Sequence, residues 1–164
     1  MPHTDTGLLL AQLDAQREHV LGILDGLDDD ALRRPVLPSG WSCLGLVRHL
    51  AVDVERFWFH CVVAGYRETI AGLGGNAWQV GPDVPAATVL DLYRREIDRA
   101  NAVLAATPLD AASAWWPTEQ FGDWRLGSVH AVVLHVLTET ACHAGHLDAT
   151  RELIDGRTWL VLPT

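Results

Sequence analysis

Hydrophobic periodicity points to an all-α protein, a four-helix bundle with long loops between helices 2, 3 and 4. Three observations carry that reading. Four long segments repeat apolar residues at helical spacing, alternating apolar–polar runs of the kind that make strands are almost absent, and the intervals between segments are rich in Pro, Gly and Asp. The chain has 164 residues, of which 49% are hydrophobic, so one domain over 1–164 with a real core is expected.

The first helix is expected over 5–28, where Leu8, Leu9, Leu13, Val20, Ile23, Leu24 and Leu27 form a stripe, with Asp5 or Thr6 as N-cap. The segment DDDALRRPVLPSG breaks the period: Pro35 and Pro38 stop the chain and Gly40 frees it to turn. Ser42 is a good N-cap for the second helix, CLGLVRHLAVDVERFWFHCVVAG, which should end at Gly65. Residues 66–86 read as a long loop whose Tyr66, Trp78 and Val80 should fold over the bundle. The third helix runs from about Ala86 to Ala106, started by Thr88 or Pro85, with Val89, Leu90, Leu92, Ile97 and Leu104 as its stripe. Residues 107–127 are an irregular, Trp-rich connector. Ser128 then caps a fourth helix over 129–154, closed by Asp155 and Gly156, and 157–164 form a short tail expected to be extended.

Composition narrows the function. The formal net charge is −9 and all 12 basic residues are Arg. A nucleic-acid partner is not expected, because neutralising phosphates needs clustered positive charge. The N-terminus MPHTDTGLLL lacks the basic start of a signal peptide, and no apolar run reaches the length of a membrane span. Neither export nor a membrane partner is expected, and the location expected is cytoplasmic. Cys43, Cys61 and Cys142 form no CxxC pair and read as reduced thiols, with Cys142 as a small core residue. Apolar bundle faces leave a homodimer open.

The polar residues of the fourth helix are the informative ones. At about 100° per residue, Glu139 lies about 40° from His143, His146 about 60° and His135 about 80°, all to one side, while His130 falls on the opposite, solvent side. Glu139 and His143 are therefore i,i+4 neighbours. On the second helix the same arithmetic puts Asp53 about 40°, Arg56 about 20° and His60 about 20° from His49. Two such helices facing each other are how bundles build metal sites.

Glu is rarely buried without compensation. A divalent cation would supply it, and would accept two neutral imidazoles; two His and one Glu form a catalytic zinc set that leaves a position open. Zn²⁺ fits mixed nitrogen and oxygen ligands best, and Ni²⁺, Fe²⁺ or Mn²⁺ can also use them. His146, Asp53 or His60 would then orient the ligands. The competing reading is a solvated, hydrogen-bonded polar stripe, since single i,i+4 Glu–His pairs occur on exposed helix faces. Residue geometry by itself leaves both open.

Two stretches, PSGWSCLGLVRHLAVDVERFWF at 38–59 and ETACHAGHLDATRELIDG at 139–156, resemble the DinB-like superfamily, and more narrowly its actinobacterial DUF664 branch. The resemblance covers nearly the whole chain and is weakest over 66–127. It implies a DinB-like four-helix bundle with a divalent metal between helices. The implied ligands are the second-helix His, here His49, and two residues one turn apart on the last helix, here Glu139 and His143. Many members carry His at both of those last positions; the mycothiol-dependent maleylpyruvate isomerase branch carries Glu then His, as here. His146 falls where many relatives carry Gln after a Gly.

The superfamily includes thiol S-transferases that use mycothiol or bacillithiol, and the Arg-only, Ala- and Gly-rich composition resembles actinobacterial coding, so mycothiol is the thiol to expect. Arg56 would either hold a substrate carboxylate or pair with Asp53 or Glu55, the pairing being expected. The isomerases carry a further C-terminal domain, so a chain ending at Thr164 is not expected to share that activity.

Three functions follow as expectations. The first is a metal-dependent transfer of mycothiol to a small electrophile, with Trp58, Trp78, Trp115, Trp116 and Trp124 as candidates for a mouth. The second is a metal-dependent hydrolase with Asp53 or His146 as base. The third is a non-catalytic metal-binding stress protein, which four protein ligands, including His146, would favour.

Overall fold

The computed structural model describes residues 5–68 and 75–159. Among them the elements are helices: α1 (Asp5–Ile23), α2 (Asp29–Arg33), α3 (Cys43–His49) running directly into a π-helical segment (Leu50–Val63), α4 (Ala86–Ala106), α5 (Thr118–Phe121) and α6 (Val129–Asp155). No strand occurs among the described residues. Four long rods make the bundle. α1 lies on α6, α4 lies on α3 and the π segment, and the π segment closes against α6. Leu13, Val20, Leu46, Phe59, Tyr93, Val136 and Leu147 meet in the interior with no exposed surface, which is the burial that drives the assembly. No described helix is long and apolar enough to cross a membrane.

The caps at both ends of the site-bearing helices are the expected ones. Ser42 Oγ accepts the Gly45 N–H (3.1 Å) at the start of α3, and Ser128 Oγ accepts the Ala131 N–H (3.2 Å) at the start of α6. Gly65 (φ 79°) and Gly156 (φ 78°) take the left-handed conformation that ends the π segment and α6. The connector over 107–127 is more than a tether. Its Ala114 and Trp115 N–H groups donate to the Val63 and Val62 carbonyls (3.1 Å each), and its Ala111 and Leu109 carbonyls accept the Val129 and His130 N–H groups (2.8 and 2.7 Å). It thus satisfies backbone groups that two helix ends leave free.

Several elements differ from expectation. α1 ends at Ile23, not residue 28, where Arg151 of α6 donates to the carbonyls of Ile23 (2.6 Å) and Asp25 (2.9 Å). Asp5 and Thr6 lie inside α1 and so are not its N-cap. The run expected to be irregular after α1 forms α2, because Asp28 accepts the Ala31 N–H (2.8 Å) and Asp29 and Asp30 occupy the first turn. The connector likewise contains α5. Trp78 and Val80 pack inward, but Tyr66 is half exposed. Of the tail, residues 160–164 lie outside the described residues.

The π segment is the largest departure. Ala64 N–H reaches back five residues to the Phe59 carbonyl (3.0 Å). A π turn is wider than an α turn, so each residue advances through a smaller angle. This rotates the second half of the helix relative to the α-helical expectation. Glu55 thereby comes to face α1, where Arg17 binds both its oxygens, Nε to Oε1 at 2.8 Å and Nη2 to Oε2 at 2.6 Å. Arg56 faces α4 and donates to Glu96 Oε1 (2.7 Å).

Cys43 and Cys61 are buried, whereas Cys142 is exposed, which corrects its expected place in the core. Burial pushes the Cys43 thiol up to about 11. A thiol-specific reagent at neutral pH is therefore expected to label one cysteine, Cys142, in the native protein and all three in denaturant. Labelling of Cys43 without denaturant would contradict the packing.

Candidate metal centre

α3 and α6 bring three side chains together. His49 is the last residue of α3, and Glu139 and His143 stand one turn apart on α6. One imidazole nitrogen of each His and one Glu139 oxygen all lie within 4.8 Å of one another. His143 Nε2 is 3.5 Å from Glu139 Oε2, and the two imidazole rings meet edge to face at 5.1 Å. The His side chains are shielded, with 15% exposure for His49 and 12% for His143, while Glu139 retains 42%.

The neighbours fix how those groups present themselves. His49 Nδ1 lies 2.9 Å from Asp53 Oδ2. A carboxylate only accepts, so Nδ1 is the donor to Asp53 and Nε2 is the nitrogen left to face the site. His146 Nδ1 lies 3.3 Å from His143 Nδ1, which leaves His143 Nε2 on the Glu139 side. Burial, then the neighbouring His49, hold the His143 imidazole below its usual range against the opposite pull of Glu139. The ring is therefore neutral at neutral pH, the form that can ligate.

This donor set fits a divalent cation. Ligands about 2.0–2.1 Å from a tetrahedral centre stand roughly 3.3 Å apart, close to the 3.5 Å between His143 Nε2 and Glu139 Oε2. That distance is long for a good hydrogen bond. No arginine pairs with Glu139 among the described residues, so its carboxylate is not already taken up in an Arg ion pair. The three groups form a mixed nitrogen–oxygen set, one short of the four ligands of a tetrahedral ion.

Trp78 forms one wall. Its indole stacks on His49 (ring centroids 4.2 Å, interplanar angle 18°) and meets His143 edge-on at 5.6 Å. Gly45 makes this approach feasible, since a Cβ there would sit 2.1 Å from the Trp78 carbonyl oxygen. Gly45→Ala is expected to destabilise the protein by about 1–3 kcal/mol through overpacking, with a change in indole emission as Trp78 moves off His49. Thermal unfolding and fluorescence check both; a variant with wild-type values in each would contradict the contact.

Other residues singled out from sequence are placed elsewhere. Arg56 is paired with Glu96, not with Asp53 or Glu55. His60 packs on Tyr66 (5.7 Å) and lines a cavity with Arg99 and Val103 of α4. The π winding explains both. Asp53, four residues beyond His49, stays beside it, but the angular deficit accumulates and carries Arg56 and His60 round to α4. Trp58, Trp116 and Trp124 cluster with Phe121, and Trp58 and Trp124 meet His135; Trp58 is 5% exposed and Trp124 46%, so the cluster runs from core to surface, and its ring contacts are with His135 rather than His49. Trp115 is half-buried against the core. Trp41 approaches His146 at 6.1 Å. His130 is exposed, as expected.

Comparison with known proteins bears on the same residues. No curated protein and no solved structure matches the chain. A family model described as Mycothiol-S-transferase matches residues 8–156, a span that contains His49, Glu139 and His143 and, but for the first three residues of α1, the four rods of the bundle. The chain belongs to the mycothiol S-transferase family of DinB-like proteins.

Proposed function

We propose that the chain is a divalent-metal-dependent S-transferase that joins mycothiol to a small electrophile, with His49, Glu139 and His143 as the metal ligands. The observation that carries this reading is the convergence of two imidazoles and a carboxylate within 4.8 Å, inside the span matched by the family. Zinc best suits that mixed set. A bound divalent cation supplies the positive charge that keeps a thiol deprotonated, and so nucleophilic, at neutral pH.

The protein's own residues supply the rest. Asp53 orients His49, His146 braces His143, and Trp78 keeps water off one face of His49. In the transfer, sulfur bonds the electrophilic carbon while a halide departs with its electron pair, or while an epoxide C–O bond opens and its oxygen takes up a proton. The reading takes the chain as one domain in the cytoplasm, where its thiols stay reduced.

The test is conjugate formation by zinc-loaded protein with mycothiol and a chlorinated electrophile, followed by mass spectrometry. Conjugation well above a zinc-only blank, and lost in His49→Ala, is expected. A rate equal to the blank overturns the reading. Hydrolysis of esters or amides in the absence of thiol would point to a hydrolase instead.

A further inference from the structure

An open cavity of about 570 Å³ lies between the end of the π segment and the last two turns of α4, with the connector as its third side. Small side chains leave the space unfilled: Ala102 and Ala106 stand one turn apart on α4, and Ala112 and Ala114 line it from the connector. Ala114 is held there by its N–H bond to the Val63 carbonyl (3.1 Å). The volume is within the range of small-molecule sites, about 300–1,000 Å³. No metal-centre residue lines it. His60, which does, sits in the last turn of the π segment, whereas His49 precedes its first residue.

In a chain of net charge −9, this apolar surface carries a cation, Arg99, and no acidic residue lines it among the described residues. Arg99 Nη1 donates to Glu96 Oε1 (3.0 Å), which holds the guanidinium by one corner and leaves its Nε–Nη2 edge to give. That edge is a fork able to meet a carboxylate through two parallel bonds. Glu96 does not use up the charge, because its Oε1 also accepts from Arg56 Nη2 (2.7 Å), so two guanidinium groups share one carboxylate. The corner is not satisfied from within: Arg56 Nε, His60 Nε2 and Glu96 Oε2 are buried without a hydrogen-bond partner among the described residues. Burial holds the His60 imidazole below its usual range, against the pull of Glu96, so at neutral pH the ring is an uncharged wall.

We infer that this cavity binds a small monocarboxylic acid with a compact apolar body, its carboxylate on the Nε–Nη2 edge of Arg99 and its body against the alanine walls. The walls supply apolar contact and the guanidinium fixes which end of the ligand is held. An amine would meet Arg99 as a like charge, and an alcohol would lack the second acceptor oxygen that the fork matches. The inference is independent of the S-transferase reading and involves no metal ligand.

The experiment is an NMR titration of hexanoate and benzoate into zinc-loaded protein, with hexanol, hexylamine and inorganic phosphate as controls. Saturable shifts centred on the amides of Ala102, Ala106 and Ala114 are expected, with the same affinity when zinc is removed. Arg99→Gln should weaken both acids by about tenfold or more, as should Ala102→Leu/Ala106→Leu, which fills the space with a strong helix former. The Arg99 side chain is 56% exposed and both alanines are exposed, so each variant should keep a near-wild-type thermal midpoint. The three controls should bind about tenfold more weakly than hexanoate or not at all. Absence of saturable shifts overturns the inference, as does equal binding by Arg99→Gln or by the filled variant. Hexanol, hexylamine or phosphate binding as tightly as hexanoate also overturns it. Shifts centred on His143 that require zinc would put the carboxylate on the metal and overturn it too.

Discussion

Arg17→Met is expected to remove about 3–5 kcal/mol of folding stability, because it strands a buried carboxylate. Glu55 is 1% exposed, and its two oxygens are held by the Arg17 guanidinium at 2.6 and 2.8 Å. Arg17 also reaches Asp14 and Asn101, at 2.8 Å each, so one side chain links α1, the π segment and α4. Burial pushes the Glu55 carboxyl up, with Arg17 pulling against it. Without Arg17 the upward push stands unopposed. A carboxyl whose folded value lies above its unfolded value binds more protons in the folded state. The stability of Arg17→Met should therefore fall as pH rises from the ordinary carboxylate range through the raised folded value. Urea unfolding at pH 7 and pH 5 checks this: the deficit relative to wild type should be smaller at pH 5. Arg17→Met/Glu55→Leu should recover much of the loss. A deficit under about 1 kcal/mol at pH 7, the range of solvated surface pairs, would contradict the buried pair.

Glu139→Ala is expected to weaken zinc binding by more than about 100-fold, since changes to groups merely supporting a ligand already cost about 10–100-fold. Asp53→Ala belongs in that lower range, because it frees His49 to rotate and to change tautomer without removing a donor. His146→Ala should act through His143 in the same way and no more strongly. Competition titrations against a chelator order the variants. Protons compete for the same lone pairs, so zinc should be released as pH falls through the imidazole range. With His143 held below its usual range, release should require more acid than an unperturbed imidazole would. An affinity for Glu139→Ala within a few-fold of wild type would remove Glu139 from the site.

The parts of this account that sequence made legible share one physical property: they depend on regular α geometry or on a cap. α6 is an unbroken α-helix, so the fixed turn per residue correctly put Glu139, His143 and His146 side by side. Ser42, Ser128, Gly65 and Gly156 mark helix ends through local chemistry that needs no tertiary context. The same arithmetic failed beyond Leu50, where the chain winds as a π helix, and so Arg56 and His60 were assigned to the wrong face. Nothing in the apolar spacing of that segment distinguishes the two windings.

Long-range pairs were also hidden. Arg17 sits in the Leu13–Val20 stripe of α1, which signals a buried charge, but only the rotation of the packed helices selects Glu55 over Asp53 as its partner. Cys142 looked like core because a free cysteine commonly packs as a small buried residue. In the structure Cys142, Gly145 and Ala149 lie on the exposed face of α6. Gly45 carried no signal as a site residue, since its role depends on a carbonyl contributed more than thirty positions later.

The central claim is that His49, Glu139 and His143 bind one cation through two imidazoles and a carboxylate. Zinc-edge X-ray absorption on the one-to-one complex tests it most directly. The account predicts nitrogen and oxygen ligands at about 2.0–2.2 Å, with outer-shell scattering from two imidazoles that falls to one in His49→Ala. A sulfur ligand at about 2.3 Å, or two-imidazole scattering that survives the loss of His49, would contradict it.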